Sequence, residues 1–132
     1  MTEDEVRLVK RSWHLLRKID PTLLADVFYS RLFIDAPGLR TLFTSRMDDQ
    51  YRKLIAMLDG MVARLEQPER FAADVKKLGQ RHAGYGVKPH HYDLVGKALL
   101  WTLESALGRD WNPAVRAAWQ QCYREISETM QG

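Results

Sequence analysis

Apolar residues recur at helical spacing from one end of the chain to the other. Thr2 and Glu5 stand at the separation of a capping box, and Val6, Val9, Trp13 and Leu16 follow at three- and four-residue intervals. That pattern predicts an amphipathic helix running to about Lys18. Asp20-Pro21 pairs a capping carboxylate with a proline at the first helical position, so a second helix is expected from Pro21 to about Ile34. Its apolar residues form two adjacent lines, Leu24-Phe28-Leu32 and Ala25-Tyr29-Phe33, which leaves Tyr29 at the edge of the buried face. Pro37 to Phe43 reads as a helical turn too short to stand alone, and Arg46-Met47-Asp48-Asp49 as a polar corner. Beyond it Gln50, Leu54, Met57 or Leu58, Met61 and Leu65 trace another helix, whose first inward residue is polar.

In the next segment Phe71, Val75, Leu78 and His82 fall at spacings of four, three and four, which sets a histidine on an apolar stripe between Pro68 and Ala83. Gly84, Gly86 and Pro89 end that helix one turn later. Tyr92, Val95, Leu99, Leu103 and Leu107 mark a long helix from Pro89, and Val115, Trp119, Cys122, Ile126 and Met130 mark another from Asn112. Between them lies a Gly108-Arg109-Asp110 break. All five prolines stand at helix starts, and no segment alternates as a half-buried strand does. About seven helices of unequal length, without heptad continuity, predict an all-α fold of crossed helices rather than an up-down bundle.

Composition narrows the classes without adding a site. At 132 residues the chain is expected to form one domain, residues 1–132, burying roughly two-thirds of its unfolded surface. Its 20 basic residues are scattered among 17 acidic ones, giving a net charge of +3 and no basic run, so nucleic acid is not an expected partner. No apolar run approaches the roughly 20 residues of a membrane span. The acidic start Met1-Thr2-Glu3-Asp4-Glu5 has no hydrophobic signal region, which makes a cytoplasmic location the expectation. Cys122 is the only cysteine, excluding an intrachain disulfide, and its apolar helical position predicts a buried thiol.

Taken alone, His82 reads either as a core histidine hydrogen-bonded in place or as a metal ligand, the first being the commoner case. The surrounding motifs change that balance. Phe28-Tyr29-Ser30-Arg31-Leu32-Phe33, Pro37 with Leu42-Phe43, and Gln50 with Leu54 occur in order, followed by Arg81-His82-x-x-Tyr85-Gly86-Val87-Lys88-Pro89-x-His91-Tyr92-x-Leu94-Val95-Gly96 and then Trp119 and Tyr123. Over essentially its whole length the chain resembles the globins, specifically single-domain bacterial globins and the haem domain of flavohaemoglobins. The resemblance implies a globin fold with three-on-three helix packing around one haem b. His82 would be the proximal iron ligand, with Tyr29, Gln50 and Leu54 lining the distal side. Phe43 would pack on the porphyrin face, with Phe28, Leu78 and Val87 also in the pocket. Lys53 and Arg81 would pair with propionates or else remain ordinary surface charges, and Tyr92 would approach His82 from the following helix. His14, His90 and His91 match no ligand position and are expected at the surface. The glutamate that ends the proximal relay in flavohaemoglobins would fall past Gly132 in this alignment, so the relay is expected to be incomplete unless Glu125 or Glu128 substitutes. No counterpart of the flavin and nicotinamide reductase is expected within these residues.

These implications define the candidate chemistry. One imidazole fixing haem iron leaves its sixth position open to diatomic gases: oxygen, nitric oxide and carbon monoxide. A hydroxyl or amide aimed at that position would retard oxygen loss, and Tyr29 and Gln50 are such donors. Reversible oxygen binding or delivery is the broadest expectation. Nitric oxide dioxygenation would follow if an external reductase restored the iron, making Tyr29 and Gln50 the catalytic residues. A gas or redox sensor and a haem-free interaction protein are the other classes considered.

Overall fold

A computed structural model describes residues 1–132 as six α-helices and two short 3₁₀ segments. The helices are α1 (Glu3–Leu16), α2 (Pro21–Asp35), α3 (Met47–Ala63), α4 (Pro68–Gly84), α5 (Pro89–Leu107) and α6 (Pro113–Gln131). The 3₁₀ segments are Pro37–Leu42 and Gly108–Asp110. Each proline occupies the first turn of its segment. Side-chain caps close three N-termini: the Thr2–Glu5 capping box, Asp20 accepting from Thr22 N–H, and Asn112 accepting from Val115 N–H.

Two boundaries differ from the sequence pattern. The supposed corner at Arg46–Asp49 is mostly helix, because Met47, Asp48 and Asp49 form the first turn of α3 and its two carboxylates complement the helix N-terminus. Within α3 the buried stripe is Ile55, Leu58, Met61 and Val62, while Gln50, Leu54 and Met57 lie half-buried beside it and Leu65 falls beyond the helix. The helix therefore has two apolar flanks. It packs mainly on α2 and to a lesser extent on α1.

The closed side of the fold is fastened by polar groups inside an apolar core. Trp119 Nε1 donates to Ser12 Oγ at 2.8 Å, and the Ser12 hydroxyl in turn donates to the Leu8 carbonyl at 2.7 Å. Trp13 meets Trp119 edge-on at 6.2 Å and donates its indole N–H to Asp59 on α3 at 2.8 Å. Asp59 also accepts from Arg17 at 2.9 Å. One serine and one aspartate thus satisfy both indole donors and tie α1 to α6 and α3.

Helix α4 is held differently: its extensive packing is against α6 alone. Val75 is fully buried there, and Gly79 lies so close to the Met130 backbone that a Cβ at position 79 would overlap it. Substituting Gly79→Ala gains up to ~1 kcal/mol of helix propensity, yet overpacking against backbone that cannot rotate away costs about 1–3 kcal/mol. We expect a lower urea midpoint at unchanged m-value; a raised midpoint would show that α4 and α6 are not so closely apposed.

Candidate functional site

His82 lies in the last full turn of α4, and the way that turn ends fixes its place. Tyr85 is the cap residue and Gly86 follows with φ of 86°, a left-handed backbone that glycine adopts without Cβ strain. The Val87 N–H donates to the His82 carbonyl at 3.2 Å and the Gly86 N–H to the Ala83 carbonyl at 3.1 Å, the paired bonds of a Schellman motif. The half-buried His82 ring places Nδ1 2.8 Å from the Leu78 carbonyl. Since a carbonyl only accepts, Nδ1 carries the proton and donates, leaving the Nε2 lone pair free to ligate.

Tyr29 is buried on α2 inside a box of aromatic rings. Phe28 and Phe43 present edges at 5.0 and 5.4 Å, Phe33 tilts against it at 5.9 Å, and Tyr51 of α3 stacks on it at 5.6 Å with planes 22° apart. Its hydroxyl has no hydrogen-bond partner in the protein, yet no side-chain polar atom is both buried and unpartnered. The hydroxyl oxygen therefore keeps some solvent contact although the residue is buried. Burial, and secondarily the neighbouring Tyr51, pushes its pKa up to about 12, so it remains a donor throughout the neutral range.

Gln50, Leu54 and Met57 stand half-buried along α3, the last two packing against the core. Leu78 and His82 are likewise half-buried along α4, and Leu42 and Phe43 lie half-buried at the end of the 3₁₀ segment. Helices α3 and α4 do not pack extensively on each other; Arg64 on the residue after α3 reaches Asp74 on α4 at 3.2 Å. Lys53 and Arg81 are exposed and paired with no carboxylate. A separate recess of about 380 Å³ lies between Pro37–Leu42 and the start of α5, lined partly by Leu39, Leu42, His91 and Leu94, and includes none of Tyr29, Gln50 and His82.

Tyr92 is half-buried but does not hydrogen-bond His82, and its backbone carbonyl instead accepts from the Tyr123 hydroxyl. Neither acidic substitute reaches the site: Glu125 holds the Met1 ammonium at 2.9 Å, and Glu128 is exposed. Cys122 is buried, and that burial pushes its thiol up to about 12. Two further roles escaped sequence reasoning. Tyr51 bonds Asp26 and supports Tyr29, and His91 Nδ1 accepts from the Lys88 N–H at 2.9 Å at the start of α5. Neither has a periodic signature, because each is defined by its partner rather than by its spacing.

Comparison with known proteins matches the globin family model over residues 26–130. The chain belongs to the globin family. It is 28% identical over 130 residues to the flavohemoprotein of Bacillus subtilis strain 168, covering 96% of this chain and 32% of that protein. The flavohemoprotein of Rhizobium meliloti is 30% identical over 108 residues, covering 80% of this chain and 27% of the relative. The globin chain thus spans about a third of the length of the curated relatives it matches. Among solved structures, an engineered carbene transferase from Rhodothermus marinus, provisionally described as a nitric oxide dioxygenase, superposes with a TM-score of 0.85 at 26% identity. That match covers 97% of this chain and 89% of the other. A bacterial globin from Campylobacter jejuni gives 0.80 at 26% identity, covering 96% and 91%.

Membership in this family implies a haem cofactor, and the residues present fit one. The half-buried apolar residues Leu54 and Met57 on α3 and Leu78 on α4, with a histidine whose Nε2 has no protein partner, are compatible with an apolar ring. One imidazole with a free Nε2 is compatible with an iron whose other ligands come from a macrocycle. No helix of the globin is long and apolar enough to cross a membrane.

The His91 contact gives a prediction independent of haem. Its pKa is lowered by desolvation first, then by His90 and Lys88, and only the unprotonated Nδ1 can accept from Lys88. The folded state binds this proton less readily than the unfolded chain. The contribution is therefore fully present above the ordinary value of 6.5 and is lost as pH falls through the lowered folded value. Thermal melts of wild type and His91→Ala should differ most near neutrality and converge in acid; a constant difference would mean that the ring acts through packing.

Proposed function

We propose that this globin holds haem b through His82 Nε2, binds oxygen under the Tyr29 hydroxyl, and uses bound oxygen to convert nitric oxide to nitrate. Haem supplies a ferrous iron with one open axial position for a diatomic gas. Overall, nitric oxide, oxygen and one electron give nitrate, and the electron comes from a reductase external to this domain. The observation that carries the reading is the protonated, unpartnered Tyr29 hydroxyl at the open end of an aromatic box. In surroundings of low polarity such a donor interacts strongly with an electron-rich ligand, and its alignment is fixed before the ligand arrives.

Each neighbouring residue has a limited task in this reading. Gln50 adds an amide donor, and Leu54, Phe28, Phe43, Leu78 and Val87 exclude water from the ring. Lys53 and Arg81, free of other partners, meet the propionates at the rim. The proximal imidazole donates to a neutral carbonyl rather than to a carboxylate, which supports a site better suited to holding oxygen than to cleaving peroxide. The similarity to flavohemoproteins and to the Rhodothermus marinus protein favours dioxygenation over oxygen delivery without turnover.

His82→Ala should lose most haem, because no other histidine lies on a flank of this cleft. Its thermal midpoint should also fall, since haem binds only the folded chain and stabilises it by mass action. Normal haem stoichiometry in that variant would overturn the ligand assignment.

The function itself is tested by following nitric oxide consumption with a reductase and oxygen supplied. Wild type should turn over many times, whereas an oxygen carrier would stop after one equivalent. Tyr29→Phe removes one hydroxyl at nearly constant volume. Loss of a charge-assisted bond worth about 1.5–3 kcal/mol should speed oxygen dissociation roughly ten- to hundredfold and depress turnover. Gln50→Leu should act in the same direction more weakly. Unchanged oxygen dissociation in both variants would remove the distal-donor basis of the proposal.

A further inference from the structure

Tyr29 is surrounded by rings, but they do not constrain it equally. Phe28 and Phe33 belong to α2 and move with it. Only Phe43 and Tyr51 fix the Tyr29 ring relative to the rest of the pocket, and Tyr51 is the one ring contributed by α3. The Tyr51 hydroxyl, in turn, donates to Asp26 Oδ1 at 2.7 Å, one turn before Tyr29 on α2. The chain of contacts leaves α2 at Asp26, crosses to α3 at Tyr51 and returns to α2 at Tyr29. Gln50 precedes Tyr51 directly, so the same fastening also sets where the amide donor begins.

We propose that Tyr51 and Asp26 form a positioning latch for the distal donors, holding the Tyr51 ring flat against Tyr29 so that the Tyr29 hydroxyl keeps a single direction. The latch rests on the reading of Tyr29 as the oxygen donor and adds a determinant of oxygen retention that makes no contact with the gas. Its physical basis is the asymmetry of the two restraints. A stacked ring resists sliding only if it is itself held, and an anionic acceptor holds a phenol more firmly than a neutral one would. The bond lies at the exposed end of Tyr51, where water competes for the same groups, so the hold is moderate and open to graded change by substitution. Tyr51 itself stays protonated through the neutral range: the Asp26 bond, with burial second, pushes it up to about 12.

Tyr51→Phe keeps the ring and removes the bond, Asp26→Ala removes the acceptor, and Asp26→Asn retains an oxygen that can accept. The first two should speed oxygen dissociation roughly three- to tenfold, the range of one ordinary hydrogen bond, and the third should restore most of the loss. Acting through one contact, the two substitutions combined should do no more than either alone. In a Tyr29→Phe background Tyr51→Phe should have no further effect. Two readouts besides kinetics separate positioning from general stability: the carbon monoxide stretching band and the ring-flip rate of isotope-labelled Tyr29 in the carbon monoxide complex. The band should broaden or split and flipping should accelerate in Tyr51→Phe and Asp26→Ala, at unchanged haem content. The proposal is overturned if Tyr29→Phe speeds oxygen loss while Tyr51→Phe leaves oxygen loss, band and ring flipping as in wild type. Failure of the donor reading looks different: Tyr29→Phe itself leaves oxygen loss unchanged.

Discussion

The one-sided attachment of α4 is the constraint on which the rest of this structure depends. A helix with an apolar stripe is normally covered along the whole of it, but on α4 Val75 is fully buried and Gly79 lies against α6 while Leu78 and His82, further along the same stripe, stay half-buried. The absence of a side chain at Gly79 lets α6 take all of the close packing, so α3 need not approach. Half-buried apolar residues remain on both helices, Leu54 and Met57 on α3 and Leu78 on α4. Burying apolar area is worth about 25 cal/mol per Å², so an apolar ring held beside them would add to stability.

The two walls of the cleft achieve opposite electrostatic ends by local means. On α4 the imidazole is given a neutral acceptor, the Leu78 carbonyl four residues back, which fixes the tautomer without drawing the proton away. The Schellman turn at Gly86 then holds that histidine at the helix end, where a further turn of helix would bury it. On α2 the tyrosine is given no acceptor at all. Contrast Tyr123, whose equally phenolic hydroxyl is spent on the Tyr92 carbonyl. An unpaired hydroxyl against apolar rings is costly only if walled in, and Tyr29 avoids that cost by reaching the open side.

How much of this was legible in the sequence depends on whether a feature is local. Prolines 21, 37, 68, 89 and 113 and the caps Thr2, Asp20 and Asn112 act within four residues, and the helices begin where they indicate. His82 announced its stripe by spacing, but a stripe cannot say whether a helix or a ligand covers it, so the ligand reading rests on the family resemblance and not on the period. In α3 the choice of inward residues went astray at Ile55 and Val62, because a helix serving both a core and a cleft carries an apolar arc too wide for one line of residues to describe. Gly79 and Tyr51 were invisible for another reason. Their significance lies in Met130 and Asp26, 51 and 25 residues away, and no local period encodes such pairs.

The same division between local and distant contacts orders the parts by how readily they move. Trp13, Trp119, Ser12 and Asp59 lock α1, α3 and α6 through bonds that are at least partly buried, so that face of the molecule is stiff. The cleft side relies instead on contacts that water can enter, namely Arg64 with Asp74 and Tyr51 with Asp26, each worth little in isolation at an exposed site. Such contacts set direction more than stability. In the proposed gas-binding reading that arrangement divides the labour: the packed face would carry stability, while weak fastenings would set the angle at which Tyr29 and Gln50 meet a ligand. Substitution at these fastenings should therefore alter ligand residence well before it alters folding, and substitution at Trp119 or Ser12 should do the reverse.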